Sequence, residues 1–235
     1  MAQDFWQECQ DAVVRRDADR EDFRLRVDLA YVGRDFQGWQ IQAEARTVQG
    51  ELRNLVSRVL DRPVMPVGAG RTDTGVHATS QIVHFDVDAD RPLTAWVRGV
   101  NAHLPASVAV RWAQPVPAEF HARFSARGRR YRYLLLNRAE RPGLMARRVG
   151  WFHRPLDANL MREAAGQLLG EHDFSAFRAV ECQAKSPVKT LRRAELARHG
   201  DLLVFDFEAS AFLHHMVRNL VGTLVYVSKG AHPPA

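Results

Sequence analysis

The sequence predicts an α+β protein built from two similar βαββαβ halves. Three observations carry this reading. Phe23, Leu25, Val27, Leu29 and Tyr31 alternate with Arg24, Arg26, Asp28 and Ala30, which marks a strand with one buried face. A strand, helix, hairpin and helix recur in that order in the second half. Between the halves the chain is broken by Pro115-Val116-Pro117.

In the first half, Thr47 can cap a helix whose apolar face is Val48, Leu52, Leu55, Val56, Val59 and Leu60, and Pro63 stops it. A short strand is expected at 64–67 and a second at 81–88. Residues 94–101 read as helical, with Trp96, Val97 and Val100 on one face, and Val108 to Trp112 as a strand. That order is the split βαβ, ferredoxin-like or RRM-like plan. In the second half, Tyr131 to Asn137 is expected as a strand. Asp157 caps a helix carrying Leu160, Met161, Ala164, Leu168 and Leu169, closed by Gly170. Thr190 to Arg198 and Leu202 to Ala209 form a hairpin around His199-Gly200-Asp201. Leu213, Met216, Val217, Leu220, Val221, Leu224 and Val225 mark a last helix. The second half therefore lacks its final strand, and the polypeptide reads as shortened, with an unpartnered sheet edge. The expected organisation is an N-terminal extension over 1–22, floppy or weakly helical, then halves at 23–116 and 117–235.

The chain has 235 residues, 46% of them hydrophobic, enough to bury a core. Its net charge of +6 favours a polyanionic partner such as nucleic acid or an anionic membrane. No apolar run reaches membrane-spanning length, and the first residues lack a secretory h-region. Cys9 and Cys182 have no CxxC spacing, so neither a disulfide framework nor a cysteine metal site is indicated. The chain reads as cytoplasmic.

Four segments carry chemistry. In Gly68-Ala69-Gly70-Arg71-Thr72-Asp73-Thr74-Gly75-Val76-His77, three glycines frame one carboxylate, Asp73, with the Arg71 guanidinium two residues before it. In Phe120 to Tyr133, five arginines, among them Arg123, Arg129 and Arg130, alternate with four aromatics. Arginine neutralises phosphates, and aromatic rings stack on unpaired bases. In Phe212 to Gly222, Arg218 looks like one buried cation on an apolar helix, sharing a face with His214 and Gly222. His214 and His215 are expected to project in different directions, and no HxxxH pair exists, so zinc is rejected and a structural or phosphate-contacting role is favoured. Tyr31 to Gln42 leaves the first strand as a glycine-punctuated loop in which Trp39 reads as a packing residue before a base platform.

These motifs resemble the TruA family of tRNA pseudouridine synthases. Gly68–His77 is similar to its GRTDxGVH motif, Phe120–Tyr133 to its FHARFSAxxRxYxY segment, and Phe212–Gly222 to its FxxxMVRNxVG helix. Lesser matches are Phe36–Gln40, Asn101–Pro105 and Asp173–Phe177. Val32 stands where the family often has Asp after its first Tyr. Family members also continue past this C-terminus.

The resemblance implies that the halves share an extended mixed, mainly antiparallel sheet with the active-site cleft between them. It implies conversion of uridine to pseudouridine on the 3′ side of the tRNA anticodon stem-loop, without cofactor or metal, by a homodimer. Asp73 is then the nucleophile or base, and a cation must hold it ionised, a part the likeness gives to Arg218. Arg71 fills the space of an extruded nucleotide, and Tyr131 stacks on the uracil and assists proton removal from C5. Arg123, Arg129, Arg130, His214, His215 and Asn219, with Arg71 and Tyr131, are expected to bind the tRNA. Two other readings are a non-catalytic RNA-binding module of RRM-like fold and a hydrolase using Asp73. The first has no need of an acid among its basic residues, and the second has no second acid close in sequence.

Overall fold

In a computed structural model describing residues 23–88 and 91–229, the period-two residues of Phe23–Tyr31 form β1, one of the two inner strands of a four-stranded sheet. The expected extension over 1–22, with Cys9, and the prolines at 233–234 lie outside the described residues. The chain divides into two compact units between Ala126 and Arg127.

In the first unit, Thr47 caps helix α1 (Val48–Leu60) by accepting the Gly50 N–H on its hydroxyl at 3.2 Å. The helix stops at Asp61, which takes a left-handed conformation (φ 52°) two residues before Pro63. Strands β2 (Val67–Gly68), β3 (Ala78–Val87) and β4 (Val108–Val116) complete a sheet of order β2-β3-β1-β4, antiparallel throughout. Of the expected strand at 64–67 only Val67 pairs, together with Gly68, because Pro66 has no N–H to give a ladder. Between β3 and β4 the helical stretch contains a π-turn over Ala95–Gly99. Leu25, Val27 and Leu29 of β1 share one core with Leu52, Leu55 and Val56 of α1 and with Trp96.

In the second unit, β5 (Arg129–Asn137) pairs antiparallel with β9 (Leu202–Ala209), and β9 pairs with β8 (Val188–His199) in the expected hairpin. Asp157 caps helix α2 (Ala158–Gln167), its carboxylate accepting the Asn159 and Leu160 N–H groups. Two edge strands were not expected. β6 (Gly150–Phe152) runs parallel to the end of β5, and β7 (Gly170–Asp173) pairs antiparallel with β8. The sheet order is β6-β5-β9-β8-β7. Beside β5, an expected open edge is therefore partly taken by β6. Helix α3 (Met216–Ser228) lays Met216, Leu220, Val221 and Leu224 into a core with Leu203, Phe205 and Phe207 of β9.

One expectation is corrected here. The described strands pair as two sheets, one in each unit, and not as one extended sheet. Among the described strands β4 pairs only with β1, and Pro115 and Pro117 deprive its end of ladder donors. β5 already has β6 and β9 as neighbours. No helix among the described residues is long and apolar enough to cross a membrane.

Candidate active site

The Asp73 loop connects β2 to β3. Its entry is tied to the sheet by the Ala69 N–H to the Ile82 carbonyl at 2.8 Å and by the Gln81 amide to the Gly70 carbonyl at 2.6 Å. Arg71 is exposed and Asp73 half-buried. Thr74 and Gly75 make a turn in which Gly75 takes φ +81° and the Val76 N–H returns to the Asp73 carbonyl at 3.1 Å.

Residues 31–39, leaving β1, hold this loop from beneath. The hydroxyls of Tyr31 and Thr72 are 2.8 Å apart, and the Trp39 N–H donates to the Thr72 carbonyl at 3.0 Å. Gly38, at φ +86°, lets the backbone pass close to Thr72, Asp73 and Thr74. A Cβ on Gly33 would lie 1.8 Å from the Val76 carbonyl oxygen. Trp39 is 3% exposed, tilted against Tyr31 at 6.1 Å, and its ring fills the space over Gly68. The expected packing role of Trp39 is what the geometry gives. The sequence reading missed that the whole segment is the cradle of Asp73. Its glycine spacing was the available signal.

The face of the first sheet turned away from this core carries Arg24, Arg26, His84 and Asp86, paired Arg24 with Asp86 and Arg26 with His84. The start of the basic-aromatic segment is fastened there. Arg24 forks onto Asp86 at 2.7 and 2.9 Å and donates to the Phe120 and Ala118 carbonyls. The Arg26 guanidinium lies over the Trp112 and Phe120 rings at 4.9 and 5.6 Å. His84, buried, accepts the Ala122 N–H on Nδ1 at 3.1 Å. This fixes how Arg123, exposed on the following turn, is presented.

Burial pushes the His84 pKa down to about 4, helped by the Arg24 and His121 charges and opposed by Asp86. A histidine unfolded near 6.5 binds protons before its folded form does. The stability it contributes is therefore complete above 6.5 and is lost as pH falls to about 4, an amount of about 3 kcal/mol. The unfolding midpoint should drop across that window, and His84→Gln, an acceptor that does not titrate, should flatten the drop. Thermal unfolding at stepped pH measures both.

In the second unit, Arg129 donates to the Ser210 carbonyl at 3.1 Å, and Tyr131 meets Phe212 edge-on with centroids 5.0 Å apart. These contacts join β5 to the 210–219 segment. Arg130 and Arg132 converge on buried Asp206, at 3.1 and 2.8 Å. Burial raises the Asp206 pKa, but the two guanidiniums outweigh it and hold the carboxyl below its usual range. Asn219 donates its side-chain amide to the Phe177 carbonyl at 3.0 Å, and the His214 N–H donates to Cys182 Sγ at 3.3 Å.

Three details of that segment differ from expectation. His215 adopts φ 62°, so α3 begins only at Met216 and His214 lies outside it; the shared helical face with Arg218 is lost. The same left-handed residue brings the His214 and His215 rings to 4.0 Å, where divergent side chains were expected. Arg218 is exposed, because it sits two positions, about 200°, round the helix from Met216 and the buried stripe.

A family model described as tRNA pseudouridine synthase matches residues 29–125 and 164–235. The chain is 65% identical over 211 residues to "tRNA pseudouridine synthase A" of Dechloromonas aromatica (strain RCB), covering 90% of this chain and 80% of that protein. It is 60% identical to the protein of that name from Thiobacillus denitrificans (strain ATCC 25259 / T1), covering 90% and 81%. It is 57% identical to that from Methylibium petroleiphilum (strain ATCC BAA-1232 / LMG 22953 / PM1), again covering 90% and 81%.

Proposed function

The chain belongs to the tRNA pseudouridine synthase family, isomerases that convert uridine to pseudouridine in tRNA, and we propose that Asp73 carries this reaction. The reaction breaks the N1–C1′ bond of a uridine, turns the uracil and joins C5 to C1′. The hydrogen on C5 leaves as a proton and N1 takes one up, so nothing is oxidised or reduced. The observation that carries the proposal is the cradle. One carboxylate stands on a loop whose backbone is pinned by Tyr31, Gly33, Gly38 and Trp39. A group held in place before substrate arrives loses little entropy at the reacting step.

The remaining roles follow the family likeness. Arg71 fills the place of the extruded nucleotide, Tyr131 stacks on the uracil and assists loss of the C5 proton, and Arg218 supplies positive charge to the reaction. Arg123, Arg129, Arg130, His214, His215 and Asn219 hold tRNA on the 3′ side of the anticodon stem-loop. The strand order β2-β3-β1-β4 supports a ferredoxin-like reading of the first unit, and the β5, α2, β8, β9, α3 succession supports it for the second. A cytoplasmic homodimer completes the proposal.

Tritium release from tRNA labelled with [5-³H]uridine tests the reaction, because only substitution at C5 frees that hydrogen. Stoichiometric release is expected. Tight binding without release would favour an RNA-binding module. The affinity should also fall steeply with salt, with a log–log slope of about −0.7 to −0.9 for each phosphate contacted. A flat response in a filter-binding titration would remove the arginine strip from tRNA binding.

A further inference from the structure

We propose that Phe124, backed by His121, is a stacking platform for an unpaired base of the tRNA, a contact that rests on the reading above and extends it. Phe124 is 75% exposed, whereas Phe36, Phe85, Phe174, Phe205 and Phe207 are all buried. Its ring lies on that of His121 with centroids 4.2 Å apart and an interplanar angle of 27°. The Arg123 guanidinium stands 5.7 Å from the same ring.

The turn bearing this ring is locked on every side. His121 Nδ1 accepts the Arg123 and Phe124 N–H groups, each at 3.2 Å. The His121 N–H donates to Ser125 Oγ at 3.0 Å, and the Ser125 N–H returns to the His121 carbonyl at 2.7 Å. Ala122 is fastened to His84, and Phe120 to Arg24. None of these bonds uses the Phe124 ring. An exposed aromatic on so fixed a turn adds little to folding, but it has little freedom left to lose on binding. A flat ring beside a guanidinium, on a chain of net charge +6, suits a nucleobase attached to a phosphate backbone. An apolar protein partner would fit the ring but not the charge around it.

The test compares Phe124→Ala, Phe124→Leu and Phe124→Tyr for binding to an anticodon stem-loop RNA and to a fully paired duplex of equal length, at one salt concentration. Stacking predicts that Ala and Leu each weaken stem-loop binding by about tenfold or more, that Tyr stays within about twofold, and that duplex binding is unchanged in all three. Unaltered stem-loop binding in the Ala variant, rescue by Leu, or equal losses on the duplex would each overturn the platform. Unfolding midpoints should match the wild type, since the ring is outside both cores. The readout is affinity, so its failure leaves Asp73 untouched. Loss of turnover by the wild type, conversely, would undo the catalytic reading without bearing on stacking.

Discussion

Gly33→Ala is expected to lower turnover about a hundredfold while leaving tRNA binding nearly unchanged. The added methyl would sit 1.8 Å from the Val76 carbonyl oxygen and 2.5 Å from its carbon. Backbone cannot rotate away as a side chain can, so one of the two segments must move by more than an ångström. Gly33 is buried at the start of a short 3₁₀ turn whose Phe36 N–H closes back on its carbonyl. The Val76 side is the freer one, because it follows the Thr74–Gly75 turn. Val76 also donates its N–H to Asp73. Displacing it displaces the carboxylate, and a misplacement of about 1 Å costs roughly 10² in rate. Overpacking of this kind also costs about 1–3 kcal/mol, a fall of several degrees in unfolding midpoint. Steady-state kinetics with a melting curve check both. A variant with the native midpoint and native kcat would show that the cradle does not position the loop.

Asp73→Asn should abolish pseudouridine formation, by a factor of about 10⁴ or more, and keep tRNA affinity within about tenfold. Asparagine has nearly the shape of aspartate, so the loop should hold. It cannot supply a negative oxygen to attack carbon or take a proton. In the proposed binding mode a carboxylate adds only repulsion to the arginine–phosphate contacts, so affinity should hold or rise. Equal losses in binding and turnover would mean that the side chain supports the fold and not the chemistry.

Much of this was legible in the sequence because it is written in local patterns. β1 announced itself by alternation, α1 by Thr47 and its apolar stripe, and the β8–β9 hairpin by His199-Gly200-Asp201. The short edge strands Gly150–Phe152 and Gly170–Asp173 did not, since three or four residues with none buried leave no period to read. The start of α3 was misplaced because nothing in His214-His215 signals a left-handed residue. Of the site, the loop proposed to carry the chemistry was visible but its support was not. Tyr31 and Thr72 are 41 residues apart, and His84 and Ala122 are 38 apart. Such pairs have meaning only once β1 and β3 lie side by side. Asn101, within one of the lesser motif matches, proves to stitch its amide to both backbone groups of Val110 at 2.8 and 2.7 Å, a structural role that its motif alone did not distinguish from a chemical one.

The most direct measurement is a single-turnover assay with enzyme in excess over tRNA, wild type beside Asp73→Asn, scoring bound tRNA and pseudouridine in the same samples. The expected result is full occupancy in both and product only in the wild type. Product from the Asn variant at a rate within about tenfold of wild type would contradict the assignment of the reaction to this carboxylate.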